Sequence, residues 1–153
     1  MNDTASRTAV PETAVADFAS DYADCFRTAA VPGTTAADWA TMSLRGADGA
    51  FGTVVWHGIL GFDLAPAGAP GTLVGWSVRH DSPERFVLET EGRLMAGRMV
   101  FEMTGDQVLW TTTLRYHGSV AGWVWAAAGP AHRRLAPHSL GRARHSLARR
   151  FGS

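Results

Sequence analysis

The chain has no lysine, a single cysteine, no acid beyond Asp106 and no apolar run long enough to cross a bilayer. Each absence excludes something. Cys25 has no second cysteine in the chain to pair with, so there is no intrachain disulfide framework. Without a membrane-length apolar run, and with a start (MNDTASRTAVPETA) that lacks the apolar core of a signal peptide, the expectation is a cytoplasmic protein with no membrane partner. All fourteen basic residues are arginine; alongside the many alanines, that reads as compositional bias before it reads as function. No nucleophile elbow, phosphate-binding loop, dinucleotide fingerprint or zinc motif occurs. His132, His138 and His145 are six and seven residues apart, whereas two ligands on one helix face need a spacing near three or four. No metal site and no cofactor are therefore expected.

The loss of acids after Asp106 divides a net charge of zero into two halves. Residues 1–106 carry seven arginines against fourteen acids, a net of −7; residues 107–153 carry seven arginines and no acid, a net of +7. Six of those arginines fall in GPAHRRLAPHSLGRARHSLARR (129–150). A nucleic-acid binder is more often basic overall and carries a recognition motif. Here the halves can neutralise each other within one fold, and arginines late in a helix face the negative end of its dipole. The segment reads as a solvated helix face, with no nucleic-acid partner expected.

What is present is globular. The 153 residues are 46% apolar and 18% charged, the size and balance of one domain with a real core. Residues 1–13 are small and polar and are expected to be disordered, leaving 14–153 as a single domain. Over residues 14–30, Val15, Phe18, Tyr22, Phe26 and Ala29 recur at helical spacing, yet Tyr22, Asp24 and Phe26 also alternate as in a strand. Thr34 or Thr35 can cap a helix running through Asp38, Trp39, Met42 and Leu44 to near Gly46. A second helix over roughly Phe51–Leu60 would put Val55, Ile59 and Phe62 on one face.

Four sequential strands follow: Leu73–His80, Arg85–Gly92, Leu94–Thr104 and Asp106–Tyr116. Short turns join them into an antiparallel meander. One face carries Val74, Trp76, Val78 and His80, then Phe86, Leu88 and Thr90, then Met95, Gly97, Met99, Phe101 and Met103, then Val108, Trp110, Thr112, Leu114 and Tyr116. The other carries arginines and glutamates able to pair across strands. To cover the apolar face, Val120, Trp123, Ala127, Ala131, Leu135 and His138 recur as on one side of a long helix over 119–147. Pro130 and Pro137 lie inside it, each removing a backbone hydrogen bond and bending it the same way.

This order of elements resembles the helix-grip fold of the START-like superfamily, which includes polyketide cyclases and lipid carriers. The resemblance rests on DYADCFR (21–27), Asp38-Trp39, GWSVR (75–79), TTTLRYHG (111–118) and GWVWAAAGPAH (122–132), with Trp123, Trp125, Pro130 and His132 in a tryptophan-rich start and Pro-x-His that follow the last strand in one bacterial branch labelled only as a domain of unknown function. It covers roughly residues 20–147. It implies an α+β fold, in which an antiparallel sheet wraps a long bent C-terminal helix, with two short helices nearer the N-terminus. It also implies that residues 20–28 are a strand, and that a hydrophobic small molecule is held between sheet and helix.

Trp76, Met99, Trp110, Thr112 and Trp123, with His57, are the candidate ligand-binding residues. The six tryptophans and five methionines fit a pocket lining and equally a filled core. His57 and His80 as lone histidines also fit structural roles, and Cys25 fits a buried inert thiol. His132, Tyr116 and Asp24 are the candidate acid/base group; an imidazole oriented by a carboxylate moves protons near neutral pH. The same three could form a buried hydrogen-bond network. Two functions follow. One is an enzyme of the cyclase, aromatase or isomerase type in secondary metabolism. The other is a non-catalytic carrier or sensor of a lipophilic ligand. A homodimer is compatible with either.

Overall fold

A computed structural model of the chain describes residues 5–45, 54–66 and 68–152. The strands are β1 (Ser6–Thr8), β2 (Tyr22–Ala29), β3 (Thr72–Leu73), β4 (Trp76–Asp81), β5 (Arg85–Thr90), β6 (Met95–Thr104) and β7 (Gln107–Tyr116). The helices are α1 (Glu12–Val15), α2 (Ala36–Ser43) and α3 (Ser119–Phe151), with a π-helical turn at Val54–Ile59. The strands form one antiparallel sheet in the order β1-β2-β7-β6-β5-β4-β3. With α3 laid on one face, the architecture is α+β and of the helix-grip type.

Strand pairing resolves the ambiguity of residues 14–30. Tyr22–Ala29 pairs with β7 along all eight residues, Tyr22 opposite Leu114 and Ala29 opposite Gln107. Eight ladder positions outweigh a helical spacing that continued only as far as Val31-Pro32-Gly33. Part of the N-terminal stretch expected to be disordered is built into the sheet. β1 pairs with β2, Ser6 opposite Arg27 and Thr8 opposite Cys25. α1 then sets Ala14 against Val87 and Val100 on the outer face. An open strand edge and a small apolar patch give this polar segment something to bind.

The meander forms with the expected faces except in its first strand: a bulge between Val78 and His80 sets His80 opposite the outer-face Val87, not on the inner face, and Val74 lies in a turn. The inner face carries rows of paired residues: Asp24–Thr112–Met99–Leu88, then Phe26–Trp110–Phe101–Phe86. On the outer face Arg98 donates to its cross-strand partner Glu89 at 2.9 Å, and Arg115 donates to Glu91 at 2.9 Å. Phe18 lies between the guanidinium groups of Arg98 and Arg115, each 5.1 Å from its ring centre. One boundary differs from expectation. The strand expected over Leu73–His80 is two strands joined by a two-residue turn at Val74-Gly75, both with positive φ (48° and 90°). Such a turn matches the twist of a tight hairpin. Glycine is required at its second position: a Cβ there would meet Leu64 Cβ at 2.9 Å and Ala65 O at 3.0 Å.

α2 begins as its sequence specifies. Thr35 accepts from the Asp38 amide, and the Asp38 carboxylate accepts from the Thr35 amide, a reciprocal capping box. The expected helix over Phe51–Leu60 is the π-helical turn. Its residues 51–53, and the side chain of Val55, lie outside the described residues. Ile59 is exposed while Phe62 is buried, so these two do not share a buried face.

α3 runs unbroken through Pro130 and Pro137 and ends four residues beyond the expected limit. The face it buries is not the expected one. Val120, Trp123 and Leu135 are 60%, 79% and 51% exposed. Ala121, Trp125, Gly129, Ala136, Leu140, Ala143 and Leu147 are buried instead, with the half-buried His132 on the same face. Their spacings of three and four are as helical as those of the expected stripe. The two stripes differ downstream, where the arginines sit beside the expected one and leave the other clear. α3 packs on β2, β7 and α2, while α2 covers β5 and β6. Among the described residues no helix is long and apolar enough to cross a membrane.

Candidate functional site

β2 pleats so that Tyr22 and Asp24, two residues apart, point to the same face, toward α3. α3 brings His132 down onto them. The Asp24 carboxylate is fully buried and His132 about one-fifth exposed; Nε2 of His132 lies 3.2 Å from Oδ2 of Asp24 and 3.4 Å from Oδ1. The Tyr22 hydroxyl donates to Oδ2 of Asp24 at 2.5 Å and accepts from Nη1 of Arg133 at 3.3 Å. An ionised carboxylate can only accept. It therefore places the imidazole proton on Nε2 and leaves Nδ1 as the acceptor. Burial pushes the Tyr22 phenol above its ordinary value; the bond to Asp24 adds to that, and Arg133 opposes it. Tyr22 thus stays a donor to Asp24 well into the alkaline range.

Aromatic rings enclose this group. Trp125, two turns before His132 on α3, lies 5.4 Å from the imidazole and packs edge-on to Tyr22 at 5.1 Å. Trp110 meets the imidazole edge-on at 6.4 Å and stacks on Phe101 at 5.1 Å. Thr112 stands opposite Asp24 on β7, and Met99 opposite Thr112 on β6; both are buried.

Asp24, His132, Trp110 and Thr112 are thus brought together, with Met99 one strand further along the same row. The other candidates are elsewhere. Tyr116 is four residues from Thr112 along β7, about 13 Å of strand. Its amide donates to Asp21 at 2.7 Å, and its ring lies beside Gly122. The tyrosine of the network is Tyr22. Trp76 belongs to a separate cluster with Trp56 and Phe62 (centres 5.5 and 5.4 Å), packed over Gly97. Trp123 points to solvent. His57 is exposed, with Nδ1 2.8 Å from the Phe62 carbonyl. Of the candidate ligand-binding residues, Trp76, Trp123 and His57 therefore lie apart from Trp110, Thr112 and Met99. Sequence reasoning missed Tyr22, Trp125 and Arg133 as site residues. The signals were present: Tyr22 precedes Asp24 by two residues on a strand, and Trp125 precedes His132 by seven on a helix.

A cavity of about 330 Å³ lies on the opposite, outer face of the sheet. Phe18, Asp63, Arg79, Glu89, Glu91 and Arg115 are among its lining residues. Its charged groups are largely engaged with one another, as in the Arg79–Glu89 and Arg115–Glu91 pairs. Among the described residues no group of three or more His, Cys, Asp or Glu could hold a metal ion. Cys25 is buried, and burial pushes its thiol above the ordinary range, away from nucleophilic reactivity.

No protein-family profile and no curated protein matches the sequence. Among solved structures, the chain is similar to CalU16 from Micromonospora echinospora at 13% identity and a TM-score of 0.32, over 95% of this chain and 96% of that one. It is similar to the Mll3558 protein from Rhizobium loti at 12% identity and a TM-score of 0.29, over 77% of this chain and 96% of that one. Likenesses this distant carry no argument about this chain.

Proposed function

We propose that this chain is a START-like protein that takes a hydrophobic small molecule between the inner face of its sheet and α3, and acts on it as a cofactor-free enzyme of the cyclase, aromatase or isomerase type. The observation that carries this reading is Asp24. A carboxylate buried on a strand is costly unless paired, and this one is paired with an imidazole that remains partly open to solvent. That arrangement suits general acid/base work. Nδ1 of His132 takes a proton from substrate and returns it to another atom, while Asp24 orients the ring and stabilises the imidazolium. Such a group contributes roughly 10²–10⁴-fold to rate. β1 pairs with β2 only from Cys25 to Arg27, so Tyr22–Asp24 has no β1 partner on that side of the strand.

A second reading, a non-catalytic carrier, is favoured by the close aromatic packing around the pair. In a carrier the Asp24–His132 bond serves to fasten α3 to β2. Native mass spectrometry of protein purified from its source organism tests the part both readings share. The expected result is the 16.4 kDa chain with a stoichiometric excess mass that extracts into organic solvent. Finding the bare chain alone, with no thermal shift on adding source-cell organic extract, would count against small-molecule binding.

A further inference from the structure

α3 leaves a second apolar stripe uncovered. Among the described residues five large apolar side chains are exposed, and three of them, Val120, Trp123 and Leu135, lie on the outer side of this helix. Ala127 and Ala131 are exposed between them. Trp123, Ala127, Ala131 and Leu135 follow one another at intervals of four, a continuous ridge along the helix. α3 carries no charged residue from Ser119 to Ala131, so no ionised group interrupts the stripe there. Single exposed apolar residues are ordinary on a protein surface, but a contiguous row that includes a tryptophan 79% exposed is the mark of a contact surface.

The stripe is symmetric about its middle. Counting outward from position 129, Ala127 matches Ala131, Val124 matches Arg134, and Trp123 matches Leu135. Small residues stand at the centre and large ones at the ends. At about 100° per residue, Trp123 and Arg134 lie on one flank of the ridge, and Val124 and Leu135 on the other. A second copy of the helix, antiparallel and related by a two-fold axis at the level of residue 129, therefore meets the first in complementary pairs. Ala127 faces Ala131 of the second copy, where two backbones can approach closely. Leu135 faces Val124 of the second copy, and Trp123 faces Arg134. That arginine is exposed and makes no hydrogen bond or ion pair among the described residues, and a guanidinium over an indole face is attracted to it. Parallel pairing would set Arg134 beside Arg134. Antiparallel pairing keeps the two about 15 Å apart along the helix, beyond the screening length of about 8 Å.

We infer that the outer side of α3, from Val120 to His138, is a self-association surface that closes an antiparallel two-fold dimer. Such a contact uses the same patch on both copies, so it ends at two. The stripe is about 27 Å long and 10 Å wide, roughly 300 Å² per copy, against about 800 Å² per partner in a standard interface. The dimer is therefore weak and reversible: it forms near 100 µM chain and is dissociated near 1 µM, both on the order of magnitude expected of so small a contact. The sheet-facing side of α3, with His132, stays clear of it.

Sedimentation velocity of the full chain over roughly 1–500 µM tests this. The expected result is a 16.4 kDa species at the lowest concentration and twice that mass at the highest. Trp123→Ala and Ala127→Glu should each weaken the dimer by roughly tenfold or more. Ile59→Ala, at an exposed apolar side chain off the stripe, should leave it unchanged. All three positions are exposed, and far-UV circular dichroism checks that each variant is folded. Register is read by oxidising a mixture of Ala127→Cys and Ala131→Cys chains. The mixed disulfide should exceed either like pair, and the native Cys25 is buried. A chain that stays monomeric throughout, a dimer indifferent to Trp123→Ala and Ala127→Glu, or an excess of like pairs overturns the inference. So does a monomer that co-sediments with phosphatidylserine vesicles through Trp123, since the stripe would then face lipid.

Discussion

Replacing Trp125 and Trp123 separately by alanine measures which side of α3 is buried. The two residues are of one type, two positions apart in the same helix, so the change in helix propensity is the same for both. Only the surroundings differ. Trp125 is 6% exposed and packs against Tyr22 and His132; Trp123 is 79% exposed. Truncating a buried tryptophan costs about 3–5 kcal/mol, of which the edge-on contact with Tyr22 accounts for roughly 0.5–1.5 kcal/mol. Truncating an exposed one changes stability by no more than about 0.5 kcal/mol. Urea unfolding followed by far-UV circular dichroism should therefore separate the variants by about 3 kcal/mol, through the midpoint and with little change in slope. A whole domain has only about 5–15 kcal/mol in hand, so Trp125→Ala should unfold at far lower urea than Trp123→Ala. Equal losses, or the larger loss at Trp123, would mean that the Val120–Trp123–Leu135 stripe faces the sheet.

Three further outcomes are expected. The two tyrosines, Tyr22 and Tyr116, are both raised above their ordinary value of 10 by burial, Tyr22 further by Asp24 and Tyr116 by Asp21. The unfolded chain therefore loses these protons first, and stability present below pH ~10 should fall as pH rises toward the folded-state values; phenolate absorbance rising near 10 in the folded protein would contradict this. Cys25 should resist a disulfide reagent in native buffer and react at once in denaturant, since it is buried with a raised pKa; rapid native labelling would place the thiol at the surface. Thr35→Ala removes the capping box of α2 and should cost about 1 kcal/mol in thermal unfolding, with Thr35→Ser largely restoring it; no loss would mean the cap contributes nothing.

The meander was readable because apolar and polar residues alternate from Trp76 to Tyr116, and a period of two leaves only one way to assign the faces. The long helix was readable because its pattern continues across both prolines. Its buried face was not. From Ser119 to Ala131 nearly every residue is apolar or small, so two stripes fit equally well. The arginines at 133, 134, 142, 144, 149 and 150 carry the information; stepping back from Leu147 through Ala143, Leu140 and Ala136 leads to His132, Gly129 and Trp125. Residues 20–28 satisfied both periods, and the ladder with β7, a long-range contact, decided between them. Ordering of the N-terminus was illegible for the same reason: β1 depends on an edge of β2 that no local pattern announces. At the site, Asp24 and His132 were identified from residue type and predicted face. Tyr116 is legible as a candidate because it ends a strand on the inner face, whereas Tyr22 lies in the segment where both periods fit, and only the ladder with β7 fixes the face it shares with Asp24.

The most direct test of the central claim, that the Asp24–His132 pair moves a proton, is a single-turnover comparison of wild type and His132→Ala on the molecule that native mass spectrometry finds bound to wild type. Proton transfer at His132 predicts a rate lower by roughly a hundredfold or more at unchanged ligand affinity. An unchanged rate, or a wild type that releases the molecule chemically intact, would contradict it.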